Sequence, residues 1–432
     1  MKLNNLNRTN NQNKLSTLRT KTGFFERLFL NALESCNKSA LRLIYDSGEE
    51  FLIGTIEEGD PAEIQIMDDK FFKQVVLYGD IGLGEAYFMG YWKSTDLVKS
   101  LNWFVENSDS SPSFSNFSLK NYAINLLGFM DRWYHRLRPN NKKKAAENIS
   151  MHYDLSNALY QCMLDETMAY SAAFFEKSDD SLLQAQQNKF KMMAAKLCLN
   201  ANDHLLEIGS GWGGFALYAA ENYGCKVTTV TISKEQYDYT RNEIQKRKMA
   251  DLVEVKLMDF RDVNGKYDKI VSIEMAEALG KKYLKTYFKQ INNLLSKSGI
   301  AVLQLINYPE SDYDKYRKRT DFIQRHIFPG SELLSVHEIL KTLHKTGDLC
   351  LYDLESMGLH YAKTLQRWAE NFTESKEKLL ALGFDETFYR KWIYYMAYCE
   401  TGFMSRYINV VQLVLSRSQN RALVDYHSFP TT

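Results

Sequence analysis

LLEIGSGWGGFALYAA, residues 205–220, is an apolar strand carrying Glu207, then a turn with glycines at 209, 211, 213 and 214, then the opening of a helix. Glycine lets a chain turn sharply and lets backbone N–H groups approach a ligand that a Cβ would exclude, so this is a nucleotide-type pocket at the C-terminal end of a strand. Further apolar runs follow at 227–232 (VTTVTI), 252–257 (LVEVKL), 268–273 (DKIVSI) and 299–306 (GIAVLQLI), with helical stretches between them. Strands alternating with helices imply a doubly wound, mainly parallel α/β sheet of Rossmann type.

Gly209, Gly211 and Gly214 also satisfy G-x-G-x-x-G, the mark of a dinucleotide site. Two features oppose that reading. The second strand ends in Thr231-Ile232-Ser233, without the acid that grips a ribose in dinucleotide folds. Glu207, two positions before the first glycine, resembles the pattern of S-adenosylmethionine (SAM) sites, where the loop wraps a small zwitterion.

Upstream of the α/β region, ALRLIY (40–45), EFLIGT (50–55) and AEIQIM (62–67) are short strands parted by turn residues, expected to form a small antiparallel sheet. Phe24, Phe25, Leu28, Phe29, Leu30 and Leu33 recur at helical spacing ahead of them, as an amphipathic helix facing the core or a membrane. Residues 70–108 read as helices around LGEAYFMGYW (83–92), and SDSSPSFSNFS (108–118) has linker composition. A basic run, RWYHRLRPNNKKK (132–144), is suited to phosphates or to solvent.

The chain has 432 residues, 45% hydrophobic and 25% charged, enough for two or three cores. With 54 Lys and Arg against 53 Asp and Glu, no whole-chain field exists to hold a polyanion, which argues against nucleic acid as a partner. Six scattered cysteines without a C-x-x-C pair argue against a disulfide framework or a zinc site, so no metal is expected. The first 21 residues lack an apolar signal region, and no uncharged stretch approaches the roughly 18 residues of a spanning helix. Aromatics at 13% fit packed cores or an apolar groove for a long hydrophobic ligand.

Six blocks carry a family resemblance in order and spacing: HYDLSNALYQCMLDETMAYSAAFF (152–175), LEIGSGWGG (206–214), VTISKEQ (230–236), DKIVSIEMAEALG (268–280), DFIQRHIFPGSELLS (321–335) and GLHYAKTLQRW (358–368). Together they resemble the cyclopropane-fatty-acid-phospholipid synthases and the related mycolic acid cyclopropane synthases. The segment 40–97 also resembles the N-terminal lipid-handling domain of the phospholipid-acting members.

That resemblance implies methyl transfer from SAM to the double bond of an unsaturated phospholipid acyl chain, with a cyclopropane as leading product. A methyl-branched or methylene product is the same-fold alternative, and a catalytically degenerate lipid-binding protein the alternative of another class. Composition and pattern divide the chain into a disordered arm (1–22), an α+β domain (23–110), a connector (111–145) and an α/β domain (146–432), to which the resemblance assigns lipid handling in the first domain and SAM-dependent methyl transfer with the acyl-chain site in the second. The enzyme would be cytoplasmic, peripherally bound to membrane, and compatible with a homodimer.

The family's cofactor contacts map onto Tyr170, Ser171, Glu207, Gly209, Gly211, Gly213, Thr231 and Gln236, with Asp259 set for the adenine. Its bound bicarbonate, the base that closes the ring, maps onto Glu277, Tyr361 and the amide of Ile306. Ala172 stands where a Cys is usual, Gln304 where a His is usual, and Ala278 replaces another His. An amide contact survives the first change and a donor the second, so the resemblance still implies bicarbonate, more weakly. His152 is read as a structural histidine near the mouth of the site.

Overall fold

The computed structural model describes residues 22–55, 59–108 and 156–423. The expected arm, apart from its last residue, the connector, the basic run 132–144 and His152 lie outside the described residues.

Two compact units divide the chain, and they interleave in sequence. One holds the described residues up to 108 together with 319–327 and 372–405; the other holds 156–318, 328–371 and 406–423. The contiguous division expected at 146 therefore differs from the observed one at two inserted segments.

In the first unit, β1 (Leu41–Tyr45) pairs antiparallel with β2 (Glu50–Ile53) and parallel with β3 (Ala62–Ile66), and β3 pairs antiparallel with β4 (Trp92–Lys93). The sheet is mixed, not antiparallel as expected, because β3 returns along the free edge of β1 instead of folding back on β2. Alternate residues Leu41, Leu43, Tyr45, Ile64 and Ile66 turn inward. The amphipathic helix Phe24–Leu33 buries Phe29, Leu30 and Leu33, with Phe29 edge-on to Phe71 and Phe72, while Phe24 stays 71% exposed.

The aromatic helix Glu386–Met404 also belongs to this unit. Arg390 donates to the carbonyls of Tyr87 and Trp92, its guanidinium 4.2 Å from the Tyr87 ring centre. Gly84 is required where that helix passes, since a Cβ there would come within 2.7 Å of the Tyr394 ring.

The second unit is built on a seven-stranded sheet: β5 (His204–Ile208), β6 (Lys226–Thr231), β7 (Val253–Leu257), β8 (Tyr267–Ile273), β9 (Leu295–Asn307), β10 (Leu349–Ser356) and β11 (Asn409–Arg417). Their order across the sheet is β10-β11-β9-β8-β5-β6-β7, with β5 to β9 parallel and β11 antiparallel to both its neighbours. This is the doubly wound α/β sheet expected from the sequence, extended by two strands. One face packs Leu206, Ile270 and Leu303 against Leu284, Phe288 and Ile291 of the helix Lys281–Leu294. The other packs Leu205, Val271 and Val302 against Phe190 and Met193 of the helix Leu182–Lys196, and Phe215 and Ala219 of the helix Gly214–Tyr223.

The chain leaves β5 toward β6 on one side while β8 lies on the other, so strand order reverses at β5. A crevice opens at the C-terminal ends of strands where that reversal occurs. There the loop after β5 meets the loop after β8: a Cβ on Gly209 would lie 3.1 Å from Met275 Cγ.

Candidate active site

The crevice is walled by the glycine loop, the segment 168–171, the ends of β6 and β8, and residues 258–261. Gly209, Gly211 and Gly213 take φ of 93°, 49° and 86°, in the left-handed region that L side chains rarely adopt. They have different neighbours. A Cβ on Gly213 would strike Thr240 at 2.7 Å, whereas a Cβ on Gly211 would meet none of the described residues within 4 Å.

Glu207 is buried beside this loop, its carboxylate accepting from Thr229 Oγ1 at 2.6 Å, and burial pushes its pKa up to about 8. Thr231 donates to the Gln236 carbonyl at 2.9 Å and accepts from the Ser233 amide at 3.1 Å, which commits the Gln236 oxygen and fixes the side chain at the pocket wall. Asp259 holds Arg261 through both carboxylate oxygens, at 2.7 Å and 2.5 Å. Glu207, Thr231, Gln236, Asp259 and Arg261 all line the pocket, as do Tyr170 and Ser171. The Tyr170 ring lies between Tyr160 and Trp368, at 5.4 Å and 5.1 Å between centres.

Lys189 was not anticipated from the sequence. It is fully buried in the helix Leu182–Lys196 and donates to Ser171 Oγ at 2.8 Å. Burial pulls its pKa down to about 8, against the opposing charges of Glu274, Asp165 and Glu207. The signal was a cation on the apolar stripe Leu182, Ala185, Lys189, Phe190, Met193, a costly place for charge unless it is partnered.

Glu274, the first residue after β8, was also passed over. Its Oε1 accepts from the Ala172 amide at 2.8 Å and from Gln304 Nε2 at 2.8 Å, and its Oε2 accepts from the Tyr361 hydroxyl at 2.9 Å. Those three donors are among the groups that the resemblance assigned to bicarbonate, the Ile306 amide being another. Its φ of 48° is left-handed, a conformation uncommon outside glycine. Burial raises its pKa, opposed by the hydrogen bonds from Gln304 and Ala172, the Lys189 charge and the Tyr361 bond.

Each donor is itself held. The backbone carbonyl of Gln304 accepts from the Glu274 amide at 2.7 Å, and its side-chain carbonyl oxygen accepts from Gln412 Nε2 at 2.9 Å; Gln412 in turn accepts from Lys196 Nζ at 2.8 Å. The Ala173 amide bonds Thr364 Oγ1 at 3.0 Å and the Phe175 amide bonds His360 Nδ1 at 3.2 Å, tying residues 172–175 to the helix Gly358–Glu374 that carries Tyr361.

Glu277 is placed differently. One oxygen accepts from the Ile306 amide at 2.5 Å; Oε2 is buried with no hydrogen-bond partner among the described residues. Burial, reinforced by the Glu274 charge, pushes its pKa up to about 8. Glu277 and Ile306 are thus brought together, and Ala172, Gln304 and Tyr361 are brought together, but around two different carboxyl groups. Three of the groups expected to hold bicarbonate, Ala172, Gln304 and Tyr361, thus bond the chain's own carboxylate at Glu274.

The mycolic acid cyclopropane synthetase family matches residues 140–413. The tuberculostearic acid methyltransferase of Mycobacterium tuberculosis is 34% identical over 384 residues, 87% of this chain and 88% of that protein. The cyclopropane-fatty-acyl-phospholipid synthase of Escherichia coli K12 is 34% identical over 367 residues, 84% and 90%. Among solved structures, a cyclopropane synthase of Mycobacterium tuberculosis aligns with a TM-score of 0.59 at 30% identity, covering 63% of this chain and 98% of its own. A mycolic acid cyclopropane synthase complexed with SAH and CTAB aligns with a TM-score of 0.59 at 29% identity, over 63% and 98%.

Proposed function

The chain belongs to the family of mycolic acid cyclopropane synthetases, and we propose that it transfers a methyl or methylene group from SAM to the double bond of an unsaturated phospholipid acyl chain, with a cyclopropane as leading product. It is a SAM-dependent enzyme of the methyltransferase fold. One observation carries the reading: the glycine loop after β5 and a carboxylate held by three donors line the same crevice.

The residues present fit the methyl donor. The open side of Gly211 leaves room for its amino-acid end, Tyr170 and Ser171 close over it, and Gln236 is held at the wall by Thr231. Asp259, steadied by Arg261, is assigned to the adenine edge, and Glu207 shapes the floor from beneath the loop. When bound, SAM supplies an electrophilic methyl group on sulfur. The chain's own task is to align a poorly nucleophilic alkene, exclude water and accept the proton released. Tyr170, which lines the crevice and packs against Trp368, presents aromatic surface on which positive charge at the acyl carbon is favourable.

No helix among the described residues is long and apolar enough to cross a membrane. Access to phospholipid is assigned to peripheral contact through the exposed ring of Phe24 at the start of the helix Phe24–Leu33.

Mass spectrometry of lipids from cells expressing the protein tests the reading. Acyl chains are expected to gain one CH2 with loss of a double bond or its conversion to a methylene, and Gly211→Val, whose branched side chain would fill the open space, is expected to abolish this together with SAM binding. Unchanged lipids beside intact SAM binding would favour a lipid-binding protein.

A further inference from the structure

We propose that Glu274 is the catalytic proton acceptor of this enzyme, a carboxylate built into the chain that takes the place of a bound bicarbonate. The inference rests on the methyl-transfer reading above and identifies its base.

The geometry is that of an anion site already filled. A carboxylate and bicarbonate share a planar O–C–O unit, and the Ala172 amide, the Gln304 amide and the Tyr361 hydroxyl converge on the two oxygens of Glu274 at 2.8–2.9 Å. An ionised carboxylate offers about four lone-pair positions, so three donors leave about one to receive a proton. Glu274 lines the crevice that holds the glycine loop. Glu277 has one amide donor and a second oxygen without a partner among the described residues, so it is the member of the pair that keeps its proton at neutral pH, and its neighbour carries the charge. The left-handed backbone at Glu274 favours glycine, so a glutamate there is a strained choice, and strain of this kind persists where the surroundings hold it.

The step balances without another reagent. The alkene π pair attacks the methyl carbon, one C–C bond forms, and the C–S bond breaks with its pair left on sulfur. The second alkene carbon becomes cationic. Glu274 then takes one proton from the transferred methyl, and the freed C–H pair forms the second ring bond. After a hydride shift, the same proton loss gives a methylene. A saturated methyl branch would require an external hydride donor and is not part of the proposal. A proton beside a carbocation is acidic enough for a carboxylate to remove.

The test uses the full-length protein, unsaturated phospholipid vesicles and SAM, in buffer freed of carbonate under CO2-free gas. Turnover of the natural protein is expected to stay within about twofold of that with added bicarbonate. Glu274→Gln is expected to lose at least the roughly 10²-fold associated with a missing general base while binding SAM normally by calorimetry. Glu274→Gly, which relieves the backbone and vacates the three donors, is expected to be inactive without carbonate and to recover with bicarbonate. Loss of the natural protein's activity on removing carbonate, or near-natural turnover by Glu274→Gln, would overturn the proposal. A natural protein that binds SAM yet never modifies lipid would remove the function reading, and this proposal with it.

Discussion

Glu274 and Glu277 stand three residues apart and receive opposite treatment: among the described residues one has three donors, the other a single amide and an oxygen with no partner. The sign of the pH effect follows from the raised pKa of Glu277. Its folded-state value of about 8 lies above the ordinary 4.5, so the native state is favoured while the group is protonated. That stability is fully present below about pH 4.5 and is lost as pH rises through about 8, at up to roughly 1.4 kcal/mol per pH unit between the two values. Glutamine mimics the neutral acid, with its oxygen still available to the Ile306 amide. Thermal melts of Glu277→Gln between pH 5 and 9 are expected to lack part of the alkaline decline seen in the natural protein. Parallel curves would mean that Glu277 is ionised across that range. At this scale the sequence was informative wherever a residue's type is demanded by backbone geometry, as at Gly209, Gly211 and Gly213. It was uninformative about Glu274, because whether a carboxylate in SIEMAEALG meets amide donors or water depends on Ala172, Gln304 and Tyr361, which lie 102, 30 and 87 residues away.

The elements divide in the same way. The strands β5 to β9 are legible because each is a largely apolar run set off from the next by a helical stretch, while β11 (NVVQLVLSR) follows the helix Glu386–Met404, outside that alternation. Yet β11 carries the residue that orients the site from behind. Gln412 lies opposite Gln304 in the β11–β9 ladder, takes up the Gln304 carbonyl oxygen and so turns the Gln304 NH2 toward Glu274. Gln412→Leu would leave that oxygen and Lys196 Nζ each short of a buried partner, a destabilisation of about 1–3 kcal/mol. With Gln304 free to rotate, kcat is expected to fall while SAM affinity stays nearly constant, since Gln412 does not border the glycine loop's crevice. Gln412→Glu, which keeps an acceptor for Lys196 but offers no amide donor to Gln304, is expected to recover stability without recovering kcat. Equal recovery of both would make Gln412 a packing residue only.

Over the whole molecule, composition and the six motif blocks disclosed an α/β methyltransferase and a smaller leading unit, but not that segments 319–327 and 372–405 fold with that leading unit. Linear order carries no mark of such a return: the helix Glu386–Met404 shows apolar residues nearly all round, and what covers Tyr394 is known only once Tyr87 and Phe322 are seen against it. This determines how the membrane proposal must be tested. Deleting residues 1–110 would strip partners from Arg390, Tyr394 and Thr401, so lost activity would report misfolding. A single exposed ring is the better probe. Phe24 is 71% exposed and touches Phe25 edge-on at 5.4 Å, so Phe24→Glu costs the fold little. Burial of a phenylalanine side chain is worth about 1.5–3 kcal/mol, roughly a 10–100-fold change in partitioning if the ring enters the lipid interface. Sedimentation with anionic phospholipid vesicles is expected to show a loss of that size for Phe24→Glu, with SAM affinity and melting temperature unchanged. Equal partitioning of variant and natural protein would show that this helix does not reach the membrane and that lipid enters by another surface.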